Sequence, residues 1–144
     1  MAYTNVITVD EAKSYLGVDD TSRDAEIFRM IGSAISYVEK ATNHIFYDRD
    51  KTYYLKNDCV RIYDYPINDT SDYLTQESGY SIYQKGGTAS VVINVGYDDP
   101  DNIPADLLEA AYMVLKFMFY EQEGSGKIPM GTEIMIDQYR RFII

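Results

Sequence analysis

The sequence predicts a single domain, residues 1–144, of the α+β class. It is mostly helical, with about four helices and a small antiparallel β insertion between the second and the third. Apolar residues recur at helical spacing in two parts of the chain, about 8–43 and about 103–142. Short β-rich segments separated by turn residues fill about 45–97. The length suits one ordinary domain, and a hydrophobic fraction of 46% is enough for a core.

The first two helices have clear start and stop signals. Thr8 and Glu11 form a capping box, in which each side chain accepts a hydrogen bond from the other residue's amide, and Gly17 ends the first helix. The second helix runs over about 23–42, and Asn43 is its predicted C-cap. Its apolar stripe consists of Ile27, Ile31, Ala34, Val38 and Ala41.

About five short strands are predicted in the β insertion. Residues 51–55 and 60–63 flank a turn at Asn57-Asp58, which predicts a hairpin. The remaining strands are predicted over 73–75, 80–83 and 88–95. A turn over 76–79 separates the first two of these, and Gly86-Gly87 is a stronger hairpin signal between the last two.

The third helix begins at Pro104, which suits the N1 position because its missing N–H costs nothing there. Residues 112–120 are apolar or aromatic except for Lys116, so this helix has to be buried on most sides. A neighbouring subunit is a candidate for part of that cover. A last short helix begins near Thr132, with Arg140 and Arg141 near its end, where the helix dipole favours cations.

The charge and composition exclude several classes of protein. A net charge of −10, spread along the chain, argues against sequence-specific DNA binding, which needs a basic footprint. An acidic wall would still let DNA slide past without sticking. No apolar run reaches the roughly 18 residues of a membrane span, and residues 1–9 lack the features of a signal peptide. We therefore expect a protein made in a cytoplasm, with no membrane partner.

No catalytic, cofactor or metal site is predicted. The sequence contains neither a phosphate-binding glycine loop nor a nucleophile elbow. One cysteine, Cys59, and one histidine, His44, exclude an internal disulfide and a His/Cys zinc site, and we expect His44 to have a capping or surface role. The acidic clusters, such as residues 98–101, have the composition of turns and helix entries. The chain is therefore not expected to be an enzyme.

Four stretches carry a family resemblance, and together they span nearly the whole chain. They are residues 7–19, residues 24–43, residues 95–97 with 103–107, and residues 128–131 with 139–141. In this order they resemble the opening helix, the long helix, the Gly-Tyr strand end with its Pro-started helix, and the Tyr-Arg ending of the tailed-phage head-tail connector, or head-completion adaptor, family. The long central segment, roughly 51–95, is similar to the larger, β-containing branch.

The resemblance implies a structural role in the neck of the virion. Such proteins form a homo-oligomeric ring, usually of about twelve subunits, that docks under the portal protein after DNA packaging. The ring extends the channel for the genomic DNA, which passes without sequence-specific contacts, and offers an attachment surface for a tail or stopper (head-closure) protein. The implied location is the virion neck, assembled in the bacterial host cytoplasm, without catalysis or cofactor.

Tyrosine is abundant, with 15 residues, and is typical of half-buried strand faces and of interfaces. Two segments are candidates for partner contacts. On the third helix they are Tyr112, Lys116, Phe119 and Tyr120. The C-terminal segment is apolar and basic in an acidic protein, which makes it the candidate for portal docking, although it can also fold back on its own domain. Its candidate residues are Tyr139, Arg140, Arg141, Phe142, Ile143 and Ile144.

Other functions stay open at this point. An acidic DNA mimic or inhibitor fits the net charge, but it should cluster its carboxylates in a row, whereas Lys and Arg are interleaved here. A carboxylate-based glycan hydrolase with tyrosine platforms lacks any paired acidic motif. A generic α+β interaction module without a phage role is compatible with the same elements.

Overall fold

The computed structural model describes residues 2–120 and 130–140 and confirms the α+β fold class. The helices are α1 (Tyr3–Val6), α2 (Val9–Leu16), α3 (Asp24–Thr42), α4 (Ala105–Tyr120) and α5 (Met130–Asp137). The strands are β1 (Arg49–Tyr54), β2 (Cys59–Ile62), β3 (Leu74–Gln76), β4 (Ser81–Gln84) and β5 (Ser90–Val95). All five strands lie between α3 and α4, where the β insertion was predicted. The short α1 was not predicted.

The helix ends follow the local chemistry of the sequence. Thr8 Oγ1 accepts a hydrogen bond from the Glu11 amide at 3.1 Å, and the Glu11 carboxylate accepts one from the Thr8 amide at 3.2 Å. Gly17 and Asn43 end α2 and α3 in the left-handed conformation, with φ of 74° and 59°. Pro104 lies one position earlier than predicted: its carbonyl accepts the first helical bond of α4, from the Leu108 amide at 3.0 Å.

The core of the domain lies between α3 and α4. Fully buried residues of both helices belong to one hydrophobic cluster, which α1, α2 and α5 help to cover. The largest of them are Ile27, Ile31, Ile35, Val38, Leu107, Val114 and Leu115. Each such side chain stabilises the fold by about 1.5–3 kcal/mol relative to an exposed one.

The strands form two small antiparallel sheets: β1 pairs with β5, and β4 lies between β2 and β3. The predicted hairpin turn at Asn57-Asp58 is present, with φ of 56° and 62°, and an antiparallel bridge between Lys56 and Cys59 closes it. Beyond that bridge, β1 and β2 enter different sheets. The hairpin predicted at Gly86-Gly87 is wrong, because both edges of β4 are taken by β2 and β3 and the chain crosses to β1 instead. The turn predicted over 76–79 does join β3 to β4.

The seam between the β insertion and the helices is tight at Gly96. This residue has a φ of 108°, and a Cβ built there would lie 2.2 Å from the Tyr47 carbonyl oxygen. Next to it, the Tyr97 amide donates to the Ile45 carbonyl at 3.0 Å. The positions that enter and leave the insertion are therefore held side by side. No helix in the described parts of the chain is long and apolar enough to cross a membrane.

Candidate functional site

The acidic clusters have structural roles in the described chain. Asp99 caps the turn after β5 by accepting a hydrogen bond from the Asp101 amide at 2.9 Å. Asp20 accepts from the hydroxyl and the amide of Ser22, and these two bonds lower the pKa of the Asp20 carboxyl. Among residues 2–120 and 130–140, no group of three or more His, Cys, Asp or Glu side chains could hold a metal ion.

His44 corrects the expectation of a capping or surface role. The residue is buried, and its Nδ1 lies 2.9 Å from the Tyr97 hydroxyl. Its ring is surrounded by those of Tyr65, Tyr97 and Tyr139, with centroid distances of 5.1, 6.2 and 5.5 Å. The histidine therefore belongs to an aromatic cluster between the helical part and the insertion.

This aromatic cluster lines an open cleft of about 700 Å³. Glu77 and Gly79, from the turn between β3 and β4, and Arg140, after α5, also line this cleft. The Tyr139 hydroxyl donates to the Asp106 carboxylate, and this hydrogen bond raises the pKa of Tyr139 to about 12. The bond ties the end of α5 to the start of α4, so the described chain ends at the mouth of the cleft.

The candidate interface residues occupy different places. Lys116 and Tyr120 are exposed on α4, Tyr112 is half-buried there, and Tyr139 and Arg140 lie at the cleft. Phe119 is only 7% exposed and packs in the core under the Arg23 guanidinium, 4.0 Å from its ring centroid, so the expectation of a free interface side chain is corrected. Arg141, Phe142, Ile143 and Ile144 lie outside the described residues.

Tyr112 belongs to a surface that we name the acidic face. It consists of Asp10, Glu11, Ser14, Tyr15, Glu109 and Tyr112. The rings of Tyr15 and Tyr112 pack against each other at 4.9 Å, and the Tyr15 hydroxyl donates to Glu109 Oε1 at 3.3 Å. Partial burial, and then the neighbouring carboxylates Glu109 and Glu11 respectively, raise the pKa of both tyrosines. Lys116 lies at the rim, with its ammonium 6.0 Å from the Tyr15 ring centroid.

A second surface, which we name the basic face, lies on the outer side of α3. Its α3 residues are Arg29, Gly32, Ser33, Ser36, Tyr37 and Lys40. Tyr3 and Met118 border it. The sequence analysis missed this surface, although its residues recur at helical spacing opposite the apolar stripe of α3. That spacing was the available signal.

Nearly the whole chain matches the model of one known protein family. A model described as "Phage gp6-like head-tail connector protein" matches residues 6–140. The chain belongs to this family. The match extends through α2, α3, α4, α5 and the whole β insertion, so the connector relationship covers nearly all of the described residues and not one motif. The connector protein is accordingly a structural subunit of the neck between a phage head and its tail.

Solved structures share the fold of this connector protein along its whole length. A chain from the virion of a native gene transfer agent particle superimposes with a TM-score of 0.77 at 14% identity, covering 100% of this chain and 93% of its own. One from the neck of a native gene transfer agent particle, computed with C12 symmetry, gives a TM-score of 0.73 at 15% identity, with 100% and 94% covered. At such identities the likeness shows the fold alone. No curated protein matches the connector at significant similarity.

Proposed function

We propose that this connector protein forms a ring of about twelve copies in the neck of a tailed phage, docks under the portal after DNA packaging, and presents a surface to a tail or stopper protein. The family match over residues 6–140 carries the proposal. The C12 symmetry used for the neck that contains a chain of the same fold supports a ring of this size. A ring subunit needs neither catalysis nor a cofactor. We propose accordingly that the protein is not an enzyme and that it acts in the virion neck after assembly in the host cytoplasm.

The charge of the protein suits a wall around passing DNA. A net charge of −10 repels the phosphate backbone, so the duplex meets no strong binding site as it moves through the ring. The carboxylates are distributed over many elements and are interleaved with Lys and Arg, which a mimic of a duplex would not need. This distribution supports a channel lining without sequence-specific contacts.

We propose that the C-terminal segment, residues 137–144, docks on the portal. Arg140 is exposed and ends the described chain at the rim of the aromatic cleft, next to Tyr139. Beyond it the sequence continues as Arg-Phe-Ile-Ile, a basic residue followed by three apolar ones. Such a sequence has one charge to orient it and a compact apolar area to bury against a partner.

Truncation after Arg140 tests this docking, because it removes only residues 141–144 and leaves in place every residue whose contacts are described above. Tailless, DNA-filled heads are sedimented with the full-length protein or with the truncated one, and the bound fraction is measured. We expect the truncated protein to keep the melting temperature of the full chain and to lose at least about tenfold in binding, the equivalent of about 1.4 kcal/mol. Undiminished binding by a folded truncated protein would contradict the docking role. A variant with Arg141→Glu alone separates the contribution of the charge from that of the apolar residues.

A further inference from the structure

The acidic face and the basic face lie on opposite sides of the helical layer. Helix α4 shows this, because it contributes to both: Glu109 and Tyr112 belong to the acidic face, and Met118 borders the basic face. Met118 follows Glu109 by nine residues, which at 3.6 residues per turn is about 180° around the helix axis. One subunit therefore presents the two faces in opposite directions.

The two faces are complementary in charge. Asp10, Glu11 and Glu109 give the acidic face three carboxylates, against one rim cation, Lys116. On the basic face, Arg29 and Lys40 are exposed, and neither forms an ion pair with a described residue. Five other cations of the described chain are already paired with a carboxylate: Lys13, Arg23, Arg49, Lys51 and Arg140. The two cations of the basic face are thus available to a partner.

Both faces also carry the apolar area that an interface needs. Tyr15 and Tyr112 form a packed aromatic pair on the acidic face. On the basic face, Tyr37 is exposed beside the small residues Ser33 and Ser36, which leave a shallow groove along α3. The Tyr3 ring closes one end of this groove, because it lies against Gly32. Small residues let another surface approach a helix backbone closely, and aromatic side chains supply much of the binding energy at protein interfaces.

A closed ring requires two such faces on every subunit. In cyclic assemblies with more than two members, one patch of a subunit contacts a different patch of the next, and the pair repeats until the ring closes. Resting on the proposed ring, we infer that the acidic face of one copy packs against the basic face of its neighbour. The tyrosine pair lies over the groove of small residues, and Arg29 and Lys40 meet the carboxylates of α2 and α4.

Charge reversal tests this pairing. One variant reverses the basic face, Arg29→Glu with Lys40→Glu. A second reverses the acidic face, Asp10→Lys with Glu109→Lys, leaving the capping residue Glu11 intact. A third combines all four substitutions. The control Lys56→Glu with Lys85→Glu makes the same charge change as the first variant on exposed residues of the β insertion. Circular dichroism melts show that each variant is folded, and electron microscopy with sedimentation measures ring assembly, alone and on tailless DNA-filled heads.

Each single-face variant should require at least about a tenfold higher concentration to assemble, because every interface then brings like charges together. The control and the four-substitution variant should assemble like the wild type. An equimolar mixture of the two single-face variants should also form rings, since alternating subunits restore attraction at every contact in an even-numbered ring. The inference is overturned if a single-face variant assembles normally, or if folded variants fail to recover in the mixture. If the wild type forms no ring, either alone or on tailless DNA-filled heads, the proposed ring itself is wrong. If the wild type forms rings but the variants do not behave as stated, only the pairing of the two faces is wrong.

Discussion

Gly96 lies at a position where the backbone leaves no room for a side chain. Its φ of 108° disfavours any side chain, and the Tyr47 carbonyl oxygen occupies the space of a Cβ at 2.2 Å. We expect Gly96→Ala to lower the free energy of unfolding by more than about 3 kcal/mol, since strain and a backbone clash add. Chemical denaturation measures the loss. Gly86→Ala is the matched control, because nothing lies within 4 Å of a Cβ there. Equal stability of the two variants would contradict this role of Gly96.

A polar cluster beneath β1 is predicted to make stability depend on alkaline pH. The Tyr53 hydroxyl donates to Asp64 Oδ2 at 2.6 Å, and Lys51 Nζ lies 2.7 Å from the same oxygen. Burial, and then the Asp64 carboxylate, raise the pKa of Tyr53 far above its ordinary value of 10.0. A raised folded-state pKa contributes stability that is complete below the unfolded-state pKa of about 10 and is lost as the pH rises toward the folded value.

The free energies of unfolding of the wild type and of Tyr53→Phe, measured between pH 8 and pH 11, test that linkage. We expect the advantage of the wild type over the variant to be constant up to about pH 10 and to shrink above it, because tyrosine in the unfolded chain then ionises. Tyr54→Phe, at a neighbouring position with an exposed ring, is the control. A difference that stays constant over the whole range would show that Tyr53 has no such linkage.

Residue roles set by near neighbours were predictable, and those set by distant ones were not. The caps Thr8, Gly17 and Asn43 use partners within a few residues, so the chemistry of the sequence was sufficient. His44 is buried by Tyr97, 53 positions away, and by Tyr139 from the other end of the chain. Nothing local to His44 signals these contacts, which is why a capping or surface role was expected.

At the scale of elements, the start of α2 depends on one capping box. Thr8→Ala removes the acceptor for the Glu11 amide and should lower the free energy of unfolding by about 1 kcal/mol. Thr70→Ala, a similar change at an exposed loop position, should change it by less than about 0.5 kcal/mol. Denaturant titration of both variants measures the difference. An unchanged midpoint for Thr8→Ala would mean that the cap adds nothing to α2.

The helices were predictable as elements because their apolar periodicity reports directly on the buried face. The strands lie close to their predicted positions, but the pairing of the strands was not predicted. A turn such as Asn57-Asp58 or Gly86-Gly87 reverses the chain, yet it does not decide whether the flanking strands bond to each other. Here β1 bonds to β5, and the register from Arg49↔Val95 to Tyr54↔Ser90 spans the whole insertion. This pairing brings the two ends of the insertion together at the helical layer. It is set by the tertiary fold and not by local sequence, so the turn signals did not predict it.

At the scale of the whole molecule, the order of the elements was more informative than any motif. Each resembling stretch is a general helix or turn signal, but their succession predicted the head-tail connector family that the match over residues 6–140 shows. The surfaces were less predictable. The interface role of Tyr112 and Lys116, which lie on or beside the acidic face, stays a prediction. Phe119 is buried, and the basic face of α3 was overlooked. Sequence periodicity indicates which side chains are buried inside one subunit. It does not indicate which surface side chains would contact a second copy.

Electron microscopy of the purified protein mixed with tailless, DNA-filled heads tests the ring most directly. We predict a closed ring at the portal vertex, coaxial with it, whose central hole is wide enough for a DNA duplex. Heads that keep a bare portal vertex at saturating concentrations of the folded protein would contradict a connector ring that docks under the portal.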